Sequence, residues 1–172
     1  DFSRYSAEKL QAAWQIVPDG DAKIASTQSI TVAASPPGLP ATATSTLAIR
    51  YSMAKGWKFI RLAPRTKELK RIEGQPKALG MWIHGDGSQN LARLRFVDST
   101  GQTFQPNGPA IAWKGWQHVE FSMDAGGAGH WGGANDGVIH YPIRWDSVLL
   151  IDGVRRETGP LEIYVSAPTL IW

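Results

Sequence analysis

Apolar residues recur at every second position through the second half of the chain. In Leu79-Gly80-Met81-Trp82-Ile83-His84, the side chains of Leu79, Met81 and Ile83 share one face, and Trp82 and His84 point the other way. A period of two predicts a strand with one face on a core. The run Gly85-Asp86-Gly87-Ser88 reads as a turn, and Ala92 to Val97 then repeats the pattern with Leu94 and Phe96 inward and Arg93 and Arg95 outward. Two such runs around a turn predict a hairpin. Ser99 to Gln102 makes the next turn, Thr103 to Gln105 a short strand, and Pro106-Asn107-Gly108-Pro109 its end. From Trp116 to Met123 the alternation returns, with Val119, Phe121 and Met123 inward and Trp116, His118 and Glu120 outward. Val148 to Ile151 reads as a continuous apolar strand, and Leu161, Ile163 and Val165 as the inward face of a last one.

The first half is less regular. Ser6 to Gln15 predicts a short helix with Ser6 as N-cap and Leu10 and Trp14 at helical spacing. Ser26 to Ser52, rich in Thr, Ser, Ala and Val, reads as strands around the loop Ser35 to Pro40. Asp124 to Gly137 holds six Gly and predicts a long exposed loop. Short strands separated by Gly, Pro, Asn and Asp turns, with no helices between them, indicate an all-β fold, an antiparallel β-sandwich or barrel.

Composition narrows the function classes. A chain of 172 residues, 42% hydrophobic and 19% charged, suits one domain with one core, and no apolar run reaches the length of a membrane span. Lys and Arg exceed Asp and Glu by only 3, and the densest basic cluster, Arg65 to Arg71, is interrupted by Glu68 and reads as a solvated loop. Nucleic acid and membrane are therefore not expected partners. There is no cysteine, which excludes disulfides, thiolate nucleophiles and cysteine zinc sites. The start at Asp1 points to a piece of a longer, processed protein. Eight Trp are an unusual load, because an indole needs burial or something to stack on.

The stretch Pro76 to Ser88, with Leu91 to Arg95 and Asp98 to Phe104 after it, resembles galactose-binding-domain-like jelly rolls, the carbohydrate-binding modules appended to bacterial glycoside hydrolases and surface proteins. Trp113 to Glu120, Tyr141-Pro142-Ile143 and Gly159 to Val165 continue the resemblance over about three quarters of the chain. It implies a jelly roll spanning 1–172 as a single module. The implied role is non-catalytic: secreted or at the cell surface, the module holds a linked catalytic or surface domain on a polysaccharide or oligosaccharide. The family's last strand often carries an acidic pair that supports the fold or a structural calcium, whereas this chain reads Tyr164-Val165-Ser166-Ala167-Pro168. Without that pair no metal and no other cofactor is expected, although backbone carbonyls with Asp19 or Asp21 could still assemble a calcium site.

Candidate chemistry concentrates on outward positions. Sugar rings present apolar C–H faces and hydroxyls, so aromatic planes beside fixed donors and acceptors suit them. Trp82, His84, Arg93, Arg95, Trp116, His118 and Glu120 supply both and are expected on one face, with Trp131 in the Gly-rich loop as a second platform. Trp113 resembles Trp131 in setting; Trp14, Trp145 and Trp172 are assigned to core or strand ends, and Trp57 to neither. His84, His118, His130 and His140 are too widely spaced for a local zinc signature. A polysaccharide-cleaving alternative would need Arg93, His118, Tyr141 and Glu120 to converge in one groove, or Glu120 to face Asp86 or Glu162 as a carboxylate pair. In a purely structural domain all the Trp would instead be core.

Overall fold

The computed structural model describes residues 2–20, 26–39, 45–153 and 156–172. Asp21 and Pro40, which figure in the expectations above, lie outside them. A 3-10 turn at Phe2–Arg4 precedes helix α1 (Ala7–Ala13), where the Ser6 hydroxyl accepts from the Lys9 amide at 3.3 Å. The helix ends at Trp14, which already belongs to a strand and is buried beside Phe2. The strands are β1 (Trp14–Gly20), β2 (Ser26–Ala34), β3 (Ser45–Met53), β4 (Lys58–Pro64), β5 (Ala78–Asp86), β6 (Leu91–Val97) and β7 (Thr103–Gln105). Then come β8 (Asn107–Ala110), β9 (Lys114–Ser122), β10 (Gly129–Trp131), β11 (Arg144–Asp152), β12 (Thr158–Val165) and β13 (Thr169–Ile171). Helix α2 (Lys67–Lys70), capped by Thr66, stands where a loop was expected. Strands β8 and β10 likewise form inside segments read as turn and loop.

Two antiparallel sheets result. The first runs β1-β4-β11-β6-β7-β10, with β8 also on β6; the second runs β2-β3-β12-β5, with β13 and β9 also on β5. Their facing sides enclose one core in which Met81, Ile83, Leu94, Phe96, Val119, Phe121, Ile163 and Val165 are all buried, as the alternation predicts. Phe96 and Phe104 stack at 5.3 Å in its middle.

The hairpin expectation fails. Strand β5 pairs with β9, β12 and β13, while β6 pairs with β11, β7 and β8, so the segment between β5 and β6 crosses from one sheet to the other. Of Gly85 to Ser88, read as a turn, Gly85 and Asp86 are the last residues of β5, paired with β9, and the chain bends only at Gly87 to begin that crossing. Asp86 accepts from the Ser88 amide at 2.9 Å and from the Tyr51 hydroxyl at 2.7 Å, and buried Asn90 donates to the same hydroxyl at 3.1 Å. Burial, then the Asp86 charge, pushes the Tyr51 phenol far above its usual value, so it stays a donor at neutral pH. A Cβ on Gly85 would lie 2.5 Å from the Trp113 carbonyl oxygen and 2.7 Å from its indole nitrogen, so only glycine admits the Trp113 ring, which donates to the Ile83 carbonyl at 3.2 Å.

Candidate functional site

The outer face of the first sheet carries a recessed polar row. Cross-strand pairing aligns Arg61 of β4, Leu150 of β11 and Arg93 of β6, and Leu150 is buried beneath its two arginine neighbours. Long arginine stems cover apolar surface while their guanidinium groups reach past it to polar partners, which is the arrangement expected when a sheet face is not covered by another layer. Asp146 takes Arg61 at 2.8 Å and Arg95 at 3.8 Å, and Asp152 takes Arg93 at 3.7 Å. Arg95 donates twice to the Gln105 amide oxygen, at 3.0 and 2.6 Å. Its guanidinium carbon lies 5.1 Å from the ring centroids of both Phe59 and Trp131, and Trp57 meets Phe59 edge-on at 5.4 Å. The result is a continuous line, Trp57–Phe59–Arg95–Trp131, whose terminal indoles are 51% and 44% exposed.

Trp131 is held in place by a clamp on the Gly-rich loop. The buried Gln102 amide donates to Asp136 at 3.1 Å and to the Val138 carbonyl at 3.0 Å, and accepts from the Gly137 amide at 3.0 Å. Thr100 accepts from the Ala134 amide at 3.1 Å, and His140 bonds Asp136 at 2.9 Å. Hydrogen bonds from the Val138 amide, His140 and Gln102 hold the Asp136 carboxyl far below the ordinary range. Asp98 anchors the turn beneath. Burial alone would raise its pKa, but donors from Thr100, the His140 amide and Gln102 outweigh it and leave the carboxyl depressed. Gly133 sits so close to this turn that a Cβ would lie 2.2 Å from the Gln102 amide nitrogen. The loop is therefore a built platform rather than a slack connection.

The outer face of the second sheet is organised differently. His84 makes edge contacts with Trp116 at 5.2 Å and Tyr164 at 5.9 Å, and Trp82 meets His118 at 5.2 Å. The Trp116 indole donates to the Pro36 carbonyl at 3.1 Å, so the 35–39 segment rests on it. The His118 ring lies over Gly80, where a Cβ would come within 3.0 Å. His118 pairs with Glu120 at 3.5 Å, and Glu162 bonds both Arg50 and Tyr164.

No protein-family model matches the chain, and no curated protein matches it by sequence. Solved structures do. The family 11 carbohydrate-binding module of a cellulosomal cellulase of Clostridium thermocellum aligns with a TM-score of 0.62 at 8% identity, over 92% of this chain and 87% of that one. A family 11 module from the same organism, solved with a β-1,3-1,4-mixed-linked tetrasaccharide, aligns at 0.61 and 9% identity over 92% and 88%. The chain has the family 11 jelly-roll fold.

Within that jelly roll the seven sheet residues expected on one face divide between two. Trp82, His84, Trp116, His118 and Glu120 share the outer face of the second sheet, while Arg93 and Arg95 lie on the opposite side of the molecule with Trp131. The parity of every one was right, but the assumed hairpin joined strands that pair in different sheets. The division also disperses the cleaving set, since Arg93 stands a sandwich thickness from His118 and Glu120. Trp57, Phe59, Arg61, Gln105, Asp146 and Asp152 complete the first face and were not singled out from sequence. The one usable signal was Trp57, an indole preceding a strand without an assigned role. Trp113 packs on Gly85 instead of forming a platform, and Trp172, at a strand end, is exposed with its ring against Gly74. Among the described residues, no three His, Asp or Glu side chains gather to hold a metal ion, and no helix is long and apolar enough to cross a membrane.

Proposed function

We propose that this chain is a non-catalytic carbohydrate-binding module that takes polysaccharide on the outer face of the first sheet. The carrying observation is Arg95 fixed between Phe59 and Trp131, with Gln105 and Asp146 on its remaining donors. Such a group is paid for in advance: its rotamer is set before any ligand arrives, so little side-chain entropy is lost on binding. Trp57 and Trp131 offer exposed ring faces for sugar C–H surfaces, and Arg93, Asp146, Asp152 and Gln105 offer donors and acceptors for hydroxyls. A weak site of this kind serves as an anchor. Joined to an enzyme or surface protein outside the cell, it keeps that partner at high local concentration on a polymer.

The test is retention on a panel of soluble and insoluble polysaccharides, mixed-linked β-glucan among them, with the supernatant analysed for products. Retention without release of oligosaccharide, lost in Trp131→Ala and kept in His118→Ala, is the expected result. Cleavage products would make the chain an enzyme, and retention lost only with His118→Ala would move the site to the second sheet.

A further inference from the structure

The outer face of the first sheet does not end at Trp131. Cross-strand partners share a face, and the row at that level runs from Trp131 of β10 to Thr103 of β7, Val97 of β6 and Arg144 of β11. Three strand spacings place Arg144 about 14 Å from Trp131. An isolated bridge then sets Arg71 directly opposite Arg144. Like charges at directly opposed positions repel and destabilise the pairing, and an anion between them relieves the repulsion. Protein groups compensate only in part. Arg71 pairs with Glu73 at 2.7 Å and Lys67 of the adjoining α2 has the charge of its neighbour Glu68 beside it, but Arg144 and Lys70 have no ion-pair partner among the described residues. A further acid, Asp98, is buried, and its oxygens accept from Thr100, Gln102 and His140. These cations line one groove together with Glu73, Pro142, the edges of Ile72 and Ile143 and the Ser99–Gly101 turn. Apolar surface beside an excess of cations suits a ring that carries a negative charge.

We infer that the polysaccharide bound on this face is acidic, and that a carboxylate or sulfate substituent of one sugar seats between Lys67, Lys70 and Arg144 while another ring stacks on Trp131. The inference rests on the proposed carbohydrate-binding role and adds the chemical class of the ligand. Arginine can take either oxyanion through paired N–H donors, and the lysines add charge without demanding a fixed geometry. The sequence could not show this cluster, because Arg144 joins Arg71 across a separation of more than seventy residues.

The test compares a uronic-acid polysaccharide with its carboxyl-reduced, neutral derivative, and a sulfated polymer with its desulfated form, by affinity electrophoresis and calorimetry. The wild type should hold the uronate polymer, the sulfated one, or both at least about tenfold more tightly than the neutral counterpart, with the gap narrowing as salt rises. Arg144→Gln should remove most of that gap, and Lys67→Gln with Lys70→Gln the rest, while circular dichroism stays unchanged. Trp131→Ala should weaken charged and neutral forms alike. Equal affinity for charged and neutral forms overturns the inference and leaves the carbohydrate role standing. No retention of any polysaccharide overturns both. Equal retention of duplex DNA, lost with the same Gln variants, would make the groove a general polyanion surface and overturn the assignment to acidic sugar.

Discussion

The two outer faces of this sandwich hold similar residue types and use them in opposite ways. On the second sheet, His84, Trp116 and Tyr164 spend their edges on one another, and the Trp116 nitrogen is taken by Pro36. On the first, the contacts run along a line that ends in two indoles with open faces, and the charged groups between them are already oriented. Aromatic content therefore does not distinguish the face proposed to bind from the packed one. What distinguishes them is whether ring faces remain open after the fold has been satisfied.

That contrast can be broken most directly at Arg95. Arg95→Met keeps an apolar stem over the sheet but removes the donors to Gln105 and Asp146. Loss of a charged hydrogen-bonding group of this kind is worth about 1.5–3 kcal/mol, so polysaccharide affinity measured by calorimetry should fall roughly ten- to a hundredfold. An unchanged affinity would place the ligand elsewhere. On the other face the expected loss is of stability. Trp116→Ala removes a part-buried ring and its bond to Pro36, and should cost about 1–3 kcal/mol in denaturant unfolding while leaving glycan affinity alone. A fall in affinity with no loss of stability would reverse the roles of the two faces.

The clamp sharpens the comparison further. Gln102→Leu removes one of the groups that bond Asp136 and the donor to the Val138 carbonyl, and should loosen the loop under Trp131. Affinity should drop severalfold, and limited proteolysis should find new cleavage between 124 and 137 before the sandwich unfolds. Acid acts on the same clamp. Asp98 and Asp136 are both depressed in the folded state, so their contribution is fully present above the unfolded value near about pH 3.9 and is lost as pH falls below it. Loop protection should thus be the same at about pH 7 and pH 5 and decline below about pH 4. Asp136→Asn should flatten that decline, and a decline starting near pH 6 would point to histidine instead. The smallest effect belongs to His118→Ala, whose part-exposed ring should change stability by no more than about 0.5 kcal/mol and binding not measurably.

Much of the fold was legible because a period of two needs no partner to be seen. Leu94 and Phe96 announce a buried face, and Arg93 and Arg95 an open one, whichever strand lies beside them. Ser6 announces its helix by the same local logic, since a cap acts on the next turn only. Strands β8, β10 and β13 were missed because three or four residues rich in Gly, Pro or Thr carry no periodicity; their neighbours in the sheet, not their own propensities, make them strands. Strands β1 and β4 were missed as well: Trp14 and Gln15 read as helix, and β4 is buried on both faces and so shows no alternation. A smaller part of the candidate site was legible in the same sense. Arg93, Arg95 and Trp131 were picked out, but Phe59, Gln105, Asp146 and Asp152 only become a site through pairings between segments far apart in sequence.

Local chemistry in this chain, then, determined which side chains face inward, where the chain turns, and that the architecture is an antiparallel sandwich. It could not determine which of two sheets each strand joins. Alternation is identical on both sides of a sandwich, and a turn-forming sequence such as Gly85 to Ser88 looks the same whether it closes a hairpin or ends a strand that hands the chain across the core. That choice is made by long-range pairing and by contacts such as Tyr51 on Asp86 and Trp113 on Gly85, and it alone sends Arg95 to meet Trp131 rather than His118.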